Sequence, residues 1–277
     1  MNCDLTLGYS PCPNDTFIFY ALVHGLLDSD IHVAERLEDV ETLNRLAMNS
    51  ILDLTKISYH ALGHLREEYC LLHSGGALGR GCGPLVVARE ATGMDSLRGK
   101  TLAIPGQLTT ANLLLQLYGE GFEKLLILPF HEIMNAVNAG RADAGVIIHE
   151  SRFTYAEHGL HQVLDLGSWW ETESGLPIPL GGILARRSLG SELITAVDHA
   201  LKRSVDYAFE HPEQTRTYIK QHAQELDDTV IDSHIGLYVN GFSRDLGEEG
   251  VTAVETLLAR AEERGIIPKS ALPLFLS

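Results

Sequence analysis

Only four cysteines occur in the 277 residues, Cys3, Cys12, Cys70 and Cys82, and no two of them form a C-x-x-C pair. A disulfide framework is thereby excluded for a chain of this length, and reduced thiols are expected. Long apolar runs are also missing: the run over residues 125–130 stops at His131 and Glu132, well short of the ~18 residues a spanning helix needs. Positive charge is scarce, with 21 Lys+Arg against 37 Asp+Glu for a formal net charge of -16. The basic residues stand singly or in pairs such as Arg186-Arg187 and Lys202-Arg203, so there is no electrostatic footprint for nucleic acid or an anionic membrane. The start, Met1-Asn2-Cys3-Asp4-Leu5, has no positive segment followed by an apolar one, and a cytoplasmic location is the expectation. Internal repeats, low-complexity stretches and long Pro/Gly/Ser linkers are absent.

What is present is ample material for a core, with 45% hydrophobic and 21% charged residues. Short β-branched or leucine-rich runs alternate with amphipathic stretches over the first two thirds of the chain, a pattern of α/β layering. The pattern predicts strands at residues 5–9, 31–36, 51–56, 69–73, 85–88, 101–104, 125–128, 144–148, 162–166 and 182–185. Helices fill the gaps, with Asp39, Ser58 and Thr109 or Thr110 as candidate caps. From Gly190 onward helices alone follow one another, and Leu193, Ile194, Val197, Leu201, Val205 and Ala208 form one apolar stripe at helical spacing. A Gly-rich stretch over residues 75–84 and a Gly/Pro cluster over 175–182 bracket a central β-α series. Two lobes are therefore expected: a larger discontinuous one of residues 1–88 and 182–277, and a smaller one of residues 89–181. A ligand in such a fold lodges where strand carboxyl ends meet helix amino termini, in the cleft between lobes.

The strand-to-helix junctions hold the residue types that chemistry needs. Ser10-Pro11-Cys12-Pro13-Asn14-Asp15-Thr16 follows the first strand, Thr55-Lys56-Ile57-Ser58 ends the third, and Pro105-Gly106-Gln107-Leu108-Thr109-Thr110 opens a later helix. Helix amino termini, hydroxyls and the Lys56 ammonium together suit a carboxylate or a polyhydroxylated small molecule. Spacing alone reads Asn14, Ser58 and Thr109 equally well as caps. His149 closes an apolar strand at its carboxyl end, the right place for a general base working near neutral pH. The chain has 13 histidines, and position is what separates His149 from the others. His60 and His64, four apart on a helix, have no third metal ligand in register and read as solvated, so no metal is expected. Cys12 reads as a structural thiol, and Trp169-Trp170 as packing. No Walker sequence, G-x-S-x-G elbow or correctly placed G-x-G-x-x-G occurs, and no nucleotide or flavin cofactor is indicated.

Four longer segments carry a resemblance: residues 10–20 (SPCPNDTFIFY), 37–44 (LEDVETLN), 74–81 (SGGALGRG) and 147–155 (IIHESRFTY). In this order they resemble the 1,4-dihydroxy-6-naphthoate synthases of the futalosine route to menaquinone. The resemblance implies a two-lobed fold like the class II periplasmic binding proteins, acting as an enzyme. It implies a carbon-carbon lyase that converts cyclic dehypoxanthine futalosine to 1,4-dihydroxy-6-naphthoate without a cofactor, and a homodimer, for which the apolar C-terminal helices would supply the contact. By position it makes His149 the proton acceptor and Lys56, Ile57, Ser58, Thr109 and Thr110 substrate contacts, with Asn14, Asp15, Thr16 and Arg152 as further substrate-binding candidates. A small organic-anion binding protein of the same fold and a chorismate-dehydrating enzyme of the same route are the alternatives.

Overall fold

The computed structural model describes residues 5–149, 151–223 and 226–276; Cys3 and Glu150, the sequence neighbour of His149, lie outside the described residues. Eleven strands among the described residues form two sheets. The first joins β1 (Leu5–Tyr9), β2 (Val33–Leu37), β3 (Leu54–Ser58), β4 (Tyr69–Leu71), β5 (Ala77–Gly79) and β11 (Ile178–Arg186); the second joins β6 (Leu85–Ala88), β7 (Leu102–Ile104), β8 (Leu125–Ile127), β9 (Ala144–Ile147) and β10 (His161–Asp165). In the first sheet the order is β2-β1-β3-β11-β4, with β5 also on β11; β1 is parallel to β2 and β3, and β11 runs antiparallel to its partners. The second sheet has the order β10-β6-β9-β7-β8, with β7 parallel to β8 and β9.

Strand pairing moves both crossings relative to the sequence expectation. The apolar run Leu85–Ala88 pairs with β9 and β10, so β6 belongs to the second sheet and the chain leaves the first after Gly79, ahead of residue 88. The return comes at Ile178 instead of residue 182, because β11 starts inside the Gly/Pro cluster. Pro179 is accommodated where the β11–β5 register shifts between Pro179 and Gly181, since proline fits a sheet at an irregularity that needs no donor. The Gly-rich stretch is likewise only partly loop, because Ala77–Gly79 pairs with β11.

The outgoing crossing packs backbone to backbone on the other lobe. A Cβ added at Gly83 would stand 2.3 Å from Gly167 Cα, and the Leu166 amide donates to Pro84 O at 2.9 Å. Gly83→Ala therefore has no flexible side chain to push aside. It is expected to lower stability by about 1–3 kcal/mol, read as a shift of the urea midpoint at unchanged slope.

Helices α1 (Pro13–Val23), α2 (Val40–Met48), α3 (Tyr59–Leu65), α4 (Thr110–Tyr118), α5 (Ile133–Asn138), α6 (Ser151–Thr154) and α7 (Leu166–Ser174) connect the strands, and α8 (Ser191–Glu210), α9 (Pro212–His222), α10 (Asp228–Tyr238), α11 (Gly241–Arg244) and α12 (Gly247–Glu263) follow β11. Asp39 caps α2 by accepting from the amides of Glu41 and Thr42 at 3.0 and 3.1 Å, and Thr109 caps α4 by accepting from Asn112 at 3.3 Å. The α8 stripe is buried at Ile194, Val197, Leu201, Val205 and Ala208, in one cluster with Phe17, Ile18 and Leu22 of α1. Ser204 fixes that pairing, its hydroxyl donating to Ile18 O at 2.7 Å and accepting from the Leu22 amide at 3.1 Å. Helices α9 and α10 pack on α1 as well, which brings the end of α10 to the carboxyl edge of the first sheet. No helix among the described residues is long and apolar enough to cross a membrane.

Candidate active site

A cavity of about 480 Å³ is lined by residues of both sheets and of α10. From the first lobe come Ser10, Cys12, Asn14 and Asp15 at the β1–α1 junction, Glu41 and Arg45 of α2, and Lys56, Ile57 and Ser58 at the end of β3. From the second come Thr109, Thr110 and Ala111 at the start of α4, Pro129 and Phe130, and Ile148 and His149 past the end of β9. The carboxyl ends of β1, β3 and β9 thus open on one space, as the junction reading required.

His149 has φ +61°, a left-handed backbone that L residues seldom adopt and that histidine tolerates better than most. The turn takes its side chain out of the strand alternation and into the cavity wall. Its amide donates to the Tyr238 hydroxyl at 3.3 Å, and its ring lies among three others: Phe130 at 5.6 Å, Tyr238 at 5.7 Å and His234 at 5.5 Å, the last within 19° of parallel. His234 is buried on α10 and presents Nε2 to Asn14 Oδ1 at 2.9 Å. The Asn14 amide group is oriented by donating Nδ2 to Asp15 Oδ1 at 2.8 Å, which leaves its oxygen facing the imidazole and makes Nε2–H the donor. Burial first, and the charge of His149 second, push the His234 pKa well below the ordinary histidine value, so His234 is a neutral partner under its neighbour.

Lys56 is less available than its sequence position implied. Its Nζ is paired with Asp15 Oδ1 at 3.0 Å, both side chains buried, and it also donates to Gly75 O at 3.3 Å. Asp15 in turn accepts from the Ser10 hydroxyl at 2.7 Å, and the pair offers the cavity little net charge. The exposed guanidinium of Arg45 stands at the rim, 3.5 Å from Glu41.

Ser58 precedes α3 without capping it by its side chain; Asn44 holds it instead, with Oδ1 accepting the Ser58 amide at 2.9 Å and Nδ2 donating to Oγ at 3.3 Å. Thr110 bridges lobes, donating to Leu180 O at 2.6 Å and accepting from the Tyr59 amide at 2.9 Å.

Two candidates are not cavity residues. Thr16 is fully buried and turns its hydroxyl back to Cys12 O at 3.0 Å inside its own helix. Arg152 points to the crossing, donating to Gly83 O and to Gly81 O and pairing with Asp165 at 3.1 Å. The His60 and His64 rings do lie 5.6 Å apart, but His60 is buried, with its pKa lowered to about 4 chiefly by desolvation. No group of three or more metal-binding side chains occurs among the described residues. Trp170 is fully buried with its indole N–H on Pro177 O at 3.2 Å, and Trp169 packs edge-on against Tyr118.

His234 and Tyr238 entered the site without a sequence signal of their own, whereas Glu41, not named as a candidate, lies in the 37–44 segment that carries the resemblance. The i, i+4 spacing of His234 and Tyr238 on an otherwise apolar helix face was the one available hint.

A family described as menaquinone biosynthesis matches residues 5–263 of the chain. The chain is 56% identical over 272 residues to a 1,4-dihydroxy-6-naphtoate synthase of Thermus thermophilus, covering 98% of this chain and 99% of that one. It is 48% identical over 269 residues to the enzyme of the same name from Streptomyces coelicolor, with 95% of each covered. Among solved structures, a protein from Archaeoglobus fulgidus superposes with a TM-score of 0.90 at 38% identity, over 95% of this chain and 98% of that one. The periplasmic aliphatic sulphonate binding protein of Escherichia coli superposes with a TM-score of 0.64 at 16% identity, over 96% and 89%, and so shares the periplasmic-binding-protein fold.

Proposed function

Since the chain belongs to the menaquinone biosynthesis family, among its 1,4-dihydroxy-6-naphthoate synthases, we propose that it is a cytoplasmic carbon-carbon lyase acting on cyclic dehypoxanthine futalosine, with His149 as the general base. The observation that carries the base assignment is the placement of His149: a left-handed turn at a strand end, ring facing the cavity, on top of a histidine that burial keeps neutral.

The imidazole takes a proton from the non-aromatic ring of the substrate. The electron pair left behind forms the new ring double bond as the bond to the sugar-derived carbon skeleton breaks; the pair of that broken bond leaves with the sugar-derived fragment, which takes a proton back from the imidazolium, and the ring becomes an aromatic naphthalenediol. The step is redox-neutral. A positioned base supplies ~10²- to 10⁴-fold; orientation in a closed cleft and amide and hydroxyl donors aimed at the developing oxyanion supply the rest. The Ser58 hydroxyl is the proposed donor to the oxyanion, since the hydroxyls of Thr109 and Thr110 are given to Gly106 O and Leu180 O and their junction is left to the carboxylate. The substrate carboxylate is directed to the first turn of α4 and to Arg45, because Lys56 already faces Asp15. Cys12, Ile57, Phe130 and Leu180 supply apolar surface for the bicyclic ring.

Incubation of the purified protein with cyclic dehypoxanthine futalosine, followed by mass spectrometry, tests the reading. Formation of 1,4-dihydroxy-6-naphthoate supports it. Recovery of the compound unchanged but bound would make the protein a small organic-anion binder, and turnover of chorismate in its place would assign the other enzyme of the route.

A further inference from the structure

The α2 carboxylate that crosses the cleft has no part in the proton transfer, yet it is buried and fully engaged. Glu41 Oε1 accepts the Gln107 amide at 3.1 Å and Oε2 accepts the Leu108 amide at 3.2 Å. Helix α2 packs on β3 of the first sheet, while residues 107 and 108 belong to the loop between β7 and α4 of the second. One turn further along α2, Asn44 Nδ2 lies 3.4 Å from Leu108 O and 3.3 Å from Ser58 Oγ. The same loop residue is therefore held at its N–H by Glu41 and at its C=O by Asn44, and Asn44 in turn holds Ser58.

The second lobe is shaped to receive this carboxylate. A Cβ added at Gly106 would stand 2.4 Å from Glu41 Oε2 and 2.5 Å from Cδ, so only glycine lets the carboxylate approach the loop. Burial raises the Glu41 carboxyl pKa, and the Leu108 amide is the largest of the contacts that pull it back. A carboxylate desolvated in this way is retained only where hydrogen-bond donors repay the cost.

We propose that Glu41 is a positioning residue that clamps the two lobes together, its carboxylate gripping the Gln107 and Leu108 amides so that Thr109, Thr110 and His149 of the second lobe are set against Ser58 of the first across the bound substrate. Glu41 touches the loop that carries the substrate contacts, and its effect on the reaction is exerted through that loop. The clamp rests on the cleft being the substrate site. It adds that closure has an identifiable latch, whose strength sets the fraction of molecules competent to bind.

A latch that shifts an open-closed equilibrium weakens apparent affinity by the lost closed fraction and spares turnover at saturation. For Glu41→Ala the expectation is a rise in KM of roughly 10- to 100-fold, the equivalent of about one hydrogen bond to a charged group, with kcat little changed. Glu41→Gln, which keeps one acceptor oxygen, falls between. Gly106→Ala tests the same contact from the opposite lobe without altering charge: it is expected to raise KM as well, and the double variant to be no worse than the worse single one.

Amide hydrogen exchange in the ligand-free protein gives a readout that does not need turnover. Gln107 and Leu108 should lose protection in Glu41→Ala while Leu102–Ile104 of β7 keeps it. Unchanged KM together with unchanged exchange at residues 107 and 108 in either variant overturns the clamp. Additive effects of Glu41→Ala and Gly106→Ala also overturn it, as does a general loss of protection that includes β7. Failure of the functional reading would be seen in the wild-type protein, as absence of the naphthoate product, and the exchange measurement would still decide on the clamp.

Discussion

Replacing His149 with asparagine is expected to lower turnover by about 10²- to 10⁴-fold, in a protein that still folds and still binds the naphthoate product. Asparagine is the informative substitution because the position has φ +61°, and Asn is among the few side chains at ease there. Alanine would add backbone strain to the loss of the base and mix two effects. The neighbours of His149 also survive the change: its amide bond to Tyr238 is a backbone contact, and His234 remains tied to Asn14. Three measurements check this: thermal unfolding within a few degrees of wild type, calorimetric binding of the product, and single-turnover rates. Near-normal turnover in a folded His149→Asn protein removes His149 from the chemistry.

Acid is expected to destabilise the protein from about pH 6.5 downward, through its buried histidines. His60 is buried with its pKa lowered to about 4, by desolvation first and the His64 charge second. His234 is lowered well below the ordinary value, by burial first and His149 second, and His64 shifts in the same direction. A depressed histidine binds its proton more weakly in the folded chain than in the unfolded one. Its contribution is complete above an unfolded value of ~6.5 and is lost as the pH falls from there toward the folded value. For His60 the window runs from 6.5 to about 4, and the loss is on the order of 3 kcal/mol at its end. His234 adds to the loss over a window that opens at the same pH. The raised carboxyl of Glu41 works in the opposite sense, since a group that holds its proton more tightly when folded favours the folded chain as the pH falls. Urea unfolding at pH 7.0, 6.0 and 5.0 should show a falling midpoint, and His60→Gln should flatten the fall. A midpoint constant across this range would contradict the burial of both histidines.

The parts of the fold that could be read from the sequence are those in which periodicity and capping agree. Helix α2 begins at Val40 after the Asp39 cap, and α8 buries its stripe on α1. Reading failed where backbone pairing overrode composition. Ala77–Gly79 and Ile178–Leu180 look like loop by their glycines and prolines, yet they pair because β11 needs partners along both edges. The site divides in the same way. His149 and the Thr109-Thr110 junction stand at ends of elements, where position alone suggests chemistry. His234 and Tyr238 sit inside a helix whose apolar neighbours disguise them as packing, and the cavity wall they form depends on α10 folding back over α1. Arg152 shares a motif with His149 but turns away, because the unpaired carbonyls of the crossing at Gly81 and Gly83 attract its guanidinium.

The chain passes between its two sheets twice, outward after Gly79 and back before Ile178. Two tethers side by side behave like the paired pins of a door: bending about the line that joins them is cheap, whereas swivelling one half on the other must stretch or compress a tether. Closure along a single arc is the expected motion of such a connection, and it would bring the carboxylate and the two amides of the clamp together in one register.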